Sequence, residues 1–322
     1  MNFKIKYLTS ITILLIILVI AGYYIYNNIS DFKALTLVNP LYLIILIALF
    51  IITYFFIGLV TQNLLYPLGV KLKGFEVFAL SIVTGFYNLI TPFRGGMATR
   101  AVYLKKKHSF PYVHFLASLA GMYVISFLIA SLLGIISTIL IYLTTGIFST
   151  ILFLIFLGIF ILLLVIIILS PKFPEHKNKW INRFIKVING WHLIKSNLRI
   201  IFIISIITLI QFLIGSLMFY FRFRIFGIDM GFFQCIFLSA IGNLSLLISI
   251  TPANLGISEA ITVFAALTIG ITPEQSLSVA LLARAIQILV LFILGPIFSV
   301  ILFKHKPKIP QNEIKNNSYF AE

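Results

Sequence analysis

The chain has 322 residues, 61% of them apolar, with a mean hydropathy of +1.13 and a formal net charge of +16. So much apolar surface with only 10% charged residues excludes a water-soluble globule and indicates an all-α polytopic membrane protein, one integral domain over residues 1–322. The positive charge does not indicate nucleic-acid binding, because Lys and Arg cluster in short segments between apolar runs, as cytosolic loops facing an anionic inner leaflet do.

The first apolar run, Leu8–Tyr26, follows Lys4 and Lys6. It is longer than the core of a signal peptide and no small-residue cleavage site follows, so a retained helix is expected. Further full-length runs are Leu41–Leu65, Val113–Ile135, Phe148–Ser170, Ile200–Phe221 and Ser276–Phe303, each able to cross a hydrocarbon core of about 30 Å. The residues up to Thr144 predict that the Val113 helix extends beyond the outer face. About six transmembrane helices are therefore expected.

Two segments differ. Phe75–Ile90 ends in TPFRGGMATR (Thr91–Arg100) and Phe232–Ile250 ends in TPANLGISEA (Thr251–Ala260). Proline stops a helix and glycine permits a reversal, and the pieces that follow are too short to span comfortably. Each is read as a broken, re-entrant hairpin. If the first segment crossed fully, Arg100, Lys105, Lys106, Lys107 and His108 would lie outside, against the charge rule. With a hairpin there, both termini, Lys105–Lys107 and Pro171–Arg199 are cytosolic, and the outer loops hold Lys33, Arg222 and Arg224.

The hairpins belong to an internal repeat: GFEVFALSI precedes the first turn and FFQCIFLSA the second, and Pro111 or Pro273 then opens a long span. Repeat one covers about 41–145 and repeat two about 200–303, separated by the basic segment 171–199 and followed by a basic tail, 304–322. The charge-derived topology gives the two copies opposite orientation, the inverted repeat of many transporters.

Broken backbone is tolerated in a bilayer where it is buried or lines a polar cavity, and a helix start there attracts anions. The candidate substrate-binding residues are Thr91, Pro92, Arg94, Gly96 and Arg100 at the first turn, with Thr251, Pro252, Asn254, Gly256, Ser258 and Glu259 at the second. Arg94 and Arg100 are read as holding an anionic headgroup or, alternatively, as snorkelling to the interface. Arg284, in the last span, is read with Glu259 either as a structural ion pair or as part of a substrate path. WINRFIKVINGW, with Trp180, Phe184, Ile188 and Trp191 at helical spacing, suits an amphipathic helix on the inner leaflet or a basic linker. Cys235 is alone, and the five histidines form no ligand set, so no metal or cofactor is expected. Motifs of zinc hydrolases, nucleotide-binding loops and serine hydrolases are absent, which argues against an enzyme.

The two motifs together resemble the membrane domain of lysylphosphatidylglycerol synthases, a domain that also occurs alone. Pro92, Arg94, Gly96 and Arg100 match its first motif, and Pro252, Gly256 and Glu259 its second, over roughly Leu8 to Phe303. The resemblance implies a flippase that moves aminoacylated phospholipid between leaflets of the cell membrane. This chain departs from the pattern at Met97, where an acidic residue is common, and at Gly121-Met122, where a Glu-Arg pair is common. It also lacks the synthase domain, so the lipid, anionic or aminoacylated, is left open. Two other readings stand beside the flippase: a secondary transporter of a small solute, and a non-transporting membrane partner of a lipid- or glycan-modifying enzyme. Homo-oligomerisation is also left open.

Overall fold

A computed structural model describes residues 38–169 and 197–304, with a few isolated positions outside these ranges. The expected first helix, Leu8–Tyr26, the amphipathic stretch around Trp180–Trp191 and the basic tail lie outside the described residues.

Nine α-helices are described, and no strand is present among the described residues. They are α1 Leu41–Leu65, α2 Gly74–Ile90, α3 Gly95–His108, α4 Tyr112–Thr145, α5 Thr150–Leu169, α6 Leu198–Arg224, α7 Phe232–Leu244, α8 Ile257–Leu267 and α9 Pro273–Lys304. Five are long and apolar enough to cross a membrane: α1 with the turn that extends it to Leu68, α4, α5, α6 and α9. At 34 residues, α4 is one unbroken helix of about 50 Å, longer than the hydrocarbon core. α2 with α3, and α7 with α8, form helix–turn–helix hairpins of shorter helices, apolar except for α3, which ends in Lys105–Lys107 and His108.

The packing repeats itself. α1 holds α2 as α6 holds α7; α2 packs on α9 as α7 packs on α4; and the turns of the two hairpins touch each other. α1 and α6, the helices that precede the hairpins, pack together and run antiparallel. The ring of Tyr42, at the start of α1, lies 5.4 Å from that of Phe221, near the end of α6. At the opposite end, Val60 and Leu64 cluster with Ile200 and Ile204. Glycines set the close approaches at equivalent places: a Cβ on Gly58 of α1 would strike Val77 of α2, and one on Gly215 of α6 would come within 2.7 Å of Ser239 Oγ of α7. The largest core cluster joins α4, α5 and α7, where Gly134 makes room for the buried ring of Phe156. Cys235 is buried in that cluster as an ordinary core side chain.

This packing gathers the charges at the two ends of the bundle. Gln62 Nε2 donates to Leu72 O at 2.8 Å, the rings of Tyr103 and Phe303 lie 5.8 Å apart, and Lys195 donates to Ile167 O. One end therefore carries Lys71, Lys73, Lys105–Lys107, Lys195, Arg199 and Lys304. The other is closed by Val38 N donating to Ile225 O at 2.8 Å and carries Arg224 and Asp229, 2.5 Å apart. Arg222 and Arg224 were expected in an outer loop. They belong to the last turn of α6, because the helix runs three residues past the apolar run.

Candidate functional site

Each turn begins with a threonine in extended conformation before a proline. Thr91 has φ −122°, ψ 140°, and Thr251 has φ −82°, ψ 160°. The proline ring disfavours helical backbone at the residue before it and cannot donate a hydrogen bond to continue the preceding helix. Glycine was expected to make the reversal. Instead it is made in both turns by the two residues after proline: Phe93 (φ 52°) and Arg94 (φ 56°), and Ala253 (φ 50°) and Asn254 (φ 58°). Left-handed backbone at a non-glycine residue costs about 1–2 kcal/mol, so the surroundings must hold it. Thr91 Oγ1 donates to Tyr87 O, and Thr251 Oγ1 to Leu255 O at 2.8 Å. Asn254, a residue type that tolerates this conformation, is buried and donates to Ser245 O at 3.1 Å.

The glycines have other tasks. A Cβ on Gly96 would run into the Thr84 carbonyl oxygen, so Gly96 lets α3 lie directly against α2. Gly256 (φ 82°) lets the chain turn into α8, where Glu259 Oε2 accepts from Gly256 N at 2.7 Å and caps the helix. No side chain caps the start of α3.

Five of the candidate residues line two cavities: Arg94 and Arg100 the first, and Ser258, Glu259 and Arg284 the second. The larger, about 360 Å³, is lined by both arginines of the first hairpin together with Tyr54, Thr84, Asn88, Met97, Met122, Tyr123, Gln211 and Asn243. Arg94 donates to Tyr123 Oη and lies over the same ring, 5.2 Å from its centre. Arg100 is 3% exposed, which removes the snorkelling alternative for it. Its Nε donates to Thr84 Oγ1 and its Nη1 to Thr61 Oγ1, both at 3.0 Å. Neither arginine pairs with a carboxylate among the described residues. The buried Asn88 Oδ1, also in this wall, has no partner. Met97 and Met122, uncharged residues, line the same cavity.

The second cavity, about 280 Å³, is lined by Arg222, Ser258, Glu259, Thr262, Arg284 and Gln287, among others. Glu259 and Arg284 form an ion pair. Arg284 Nε donates to Glu259 Oε1 at 2.8 Å, Nη2 donates to the same oxygen, and Nη1 reaches Gln287 Oε1 at 2.7 Å and Ala253 O at 3.2 Å. The pair thus joins α8 to α9 and braces the second turn. Thr91, Pro92, Gly96, Thr251, Pro252, Asn254 and Gly256 shape the hairpins and line neither cavity. Sequence reasoning missed Arg222, whose buried Nε has no partner. It also missed Tyr54, Tyr123, Asn88 and Gln211, which lie in spans too apolar for one face to stand out. Thr53, Ser126, Gln211 and Arg284 are near the middle of their long helices, so both cavities reach mid-depth in the bundle.

Glu76 lies in the first turn of α2, at the root of the first hairpin. Its Oε1 accepts from Tyr103 Oη at 2.7 Å, is 2.7 Å from His108 Nε2 and pairs with Lys107 Nζ at 3.1 Å. Burial by itself would raise this carboxyl; the bonds from His108, Tyr103 and Lys107 outweigh burial and hold it at about 2. Among the described residues, no group of three His, Cys, Asp or Glu side chains could hold a metal ion.

A family model described as lysylphosphatidylglycerol synthase TM region matches residues 7–295, which is most of the chain. No individual curated protein matches it.

Proposed function

The chain belongs to the lysylphosphatidylglycerol synthase TM region family, and from that premise we propose that it translocates a phospholipid between leaflets, with Arg94 and Arg100 holding the anionic headgroup. The observation that carries this reading is the pair of arginines in one mid-depth cavity, with no carboxylate beside either among the described residues. A buried cation is costly unless something neutralises it, and a phosphate does so with oxygens suited to the guanidinium fork. About 360 Å³ accommodates a small headgroup. The antiparallel α1 and α6 and the touching turns support an inverted repeat of two re-entrant hairpins that meet at mid-depth. The gathering of lysines at one end supports a cell-membrane orientation with that end in the cytosol, and both termini are proposed to be cytosolic on the charge rule. The headgroup then arrives from the inner leaflet.

The test is titration of a labelled anionic phospholipid into purified variants. Arg94→Lys should weaken binding in part. Arg94→Ala or Arg100→Ala should each weaken it about tenfold or more, the loss of a hydrogen bond to a charged group. Unchanged affinity in a folded Arg94→Ala/Arg100→Ala variant overturns the headgroup site.

A further inference from the structure

The first cavity is polar well beyond its two arginines. Three side-chain amides line it, Asn88 from α2, Gln211 from α6 and Asn243 from α7, and no Asp, Glu, His or Lys is in its wall. Ser126 Oγ donates to Asn243 Oδ1 at 3.2 Å, and Ser126 lies about one turn beyond Tyr123 on α4, the residue that holds Arg94. Arg100 reaches Thr61, between Val60 and Leu64, which cluster with Ile204. Gln211 lies about two turns further along α6. The wall thus has a cationic part and, further along the bundle, an uncharged part rich in amides.

A phosphodiester accounts for the arginines and leaves the amides without a role. It brings one negative charge to two guanidiniums, one of which already rests over the Tyr123 ring. An ammonium group on the same headgroup would add positive charge beside them, with no carboxylate in the wall to receive it. An amide offers both a donor and an acceptor without charge, and a hydroxyl matches it on both counts. Hydroxyls beyond the phosphate therefore suit this wall, and an amine does not.

We propose that the headgroup is a phosphodiester that carries free hydroxyls and no amine, with its phosphate at Arg94 and Arg100 and its hydroxyls at Gln211 and Asn243. This rests on the translocase reading above and narrows its substrate to anionic phospholipids with a polyol headgroup. Aminoacylated and ethanolamine phospholipids are then weak ligands of this cavity.

The test is displacement of labelled phosphatidylglycerol from the purified full chain in neutral detergent. Three competitors isolate the groups. Phosphatidylmethanol keeps the charge and loses the hydroxyls, phosphatidylethanolamine adds an amine, and soluble glycerophosphoglycerol is the deacylated lipid. Unlabelled phosphatidylglycerol should compete at least about tenfold better than either other lipid. Gln211→Leu should remove most of its advantage over phosphatidylmethanol, whose own affinity should stay within about twofold. Gln211→Glu, nearly isosteric, should narrow the gap between phosphatidylglycerol and phosphatidylethanolamine about tenfold. Equal competition by phosphatidylmethanol or phosphatidylethanolamine in the unchanged protein overturns the selectivity and leaves the anionic headgroup site intact. Unchanged selectivity in both folded Gln211 variants overturns it as well. Competition by glycerophosphoglycerol as strong as by the lipid supports the headgroup chemistry and sinks the translocase reading. Failure of phosphatidylglycerol to bind the unchanged protein sinks the headgroup site itself, and this inference with it.

Discussion

The two turns share a backbone and differ in what they do with charge. Both follow Thr-Pro, and both put two consecutive non-glycine residues into left-handed conformation. At the second turn every charge is answered from within: Glu259 caps α8, pairs with Arg284, and Arg284 in turn grips the carbonyl of Ala253. At the first turn no side chain caps α3, and two arginines line a cavity with hydrogen bonds to hydroxyls alone. The same positions show how the difference arises. Tyr123 and Arg284 each lie eleven residues beyond the first residue of the helix that follows their hairpin, Tyr112 and Pro273. In the first half, the hairpin supplies the cation and the span supplies the aromatic ring. In the second half the span supplies the cation and the hairpin its counter-ion. One geometry therefore carries two charge patterns: a self-neutralised brace in one half, and two arginines without a carboxylate partner among the described residues in the other.

The largest expected effect tests the brace. Glu259 and Arg284 are 13% and 12% exposed, so Glu259→Ala strands a buried guanidinium and should cost about 3–5 kcal/mol. Adding Arg284→Met should recover much of that loss, because the uncompensated charge goes with it. Arg94→Ala at the first turn has no such partner to strand and should cost far less stability. Denaturation of the detergent-solubilised variants measures all three. Additive losses for the Glu259 and Arg284 changes would show that the second hairpin is not self-neutralised, and the contrast between the halves would fail.

Much of this was legible in the sequence, for reasons that differ by residue. Thr-Pro marked both turns because proline stops a helix wherever it falls. The Glu259–Arg284 pairing could be anticipated because charge in an apolar segment needs a partner. Phe93 and Ala253 carried no signal of left-handed backbone, since neither residue type favours it and only the packed turn imposes it. Arg222 looked like a loop residue because the apolar run ends at Phe221, while α6 continues through Arg224. Tyr54 and Tyr123 were hidden among aromatic residues in spans that are apolar on every face, where periodicity cannot tell a cavity wall from a lipid-facing or core position. The separation of the candidates into two cavities follows from how distant helices pack together, a long-range fact that no local motif records.

A smaller effect separates the two motif glycines. Gly96→Ala puts a methyl group into the Thr84 carbonyl and the Asn88 amide, so α3 must shift away from α2. Overpacking of this kind costs about 1–3 kcal/mol. The shift also stretches the bond from Arg100 to Thr84, so lipid affinity should fall as well. Gly256→Ala strains a backbone at φ 82° and should cost stability on a similar scale or less. It should leave affinity at the first cavity unchanged. Equal losses of affinity in the two variants would mean that the turns act as one unit, and the comparison drawn above would need to be abandoned.

The smallest effect concerns the roots of the hairpins. Aligning GFEVFALSI with FFQCIFLSA puts Glu76 opposite Gln234. Gln234 Oε1 accepts from Gly231 N at 2.8 Å and cannot titrate. Glu76 can, and its partners His108, Tyr103 and Lys107 hold it at about 2, below its ordinary 4.5. A carboxyl depressed in the folded state binds its proton more readily when unfolded. It therefore contributes its full stabilisation above pH 4.5 and loses it as pH falls through that window toward 2. Glu76→Gln removes this contribution, so wild type should exceed the variant in stability at neutral pH, and the gap should narrow steadily below pH 4.5. Replacing Gln234 by alanine should cost a constant amount across the same range, since only a neutral cap is lost. Thermal unfolding of the three proteins against pH decides it. A wild-type advantage over Glu76→Gln that stays flat as the medium is acidified would mean that Glu76 holds α3 to α2 by packing alone, and that the first hairpin's open charge ends at its tip.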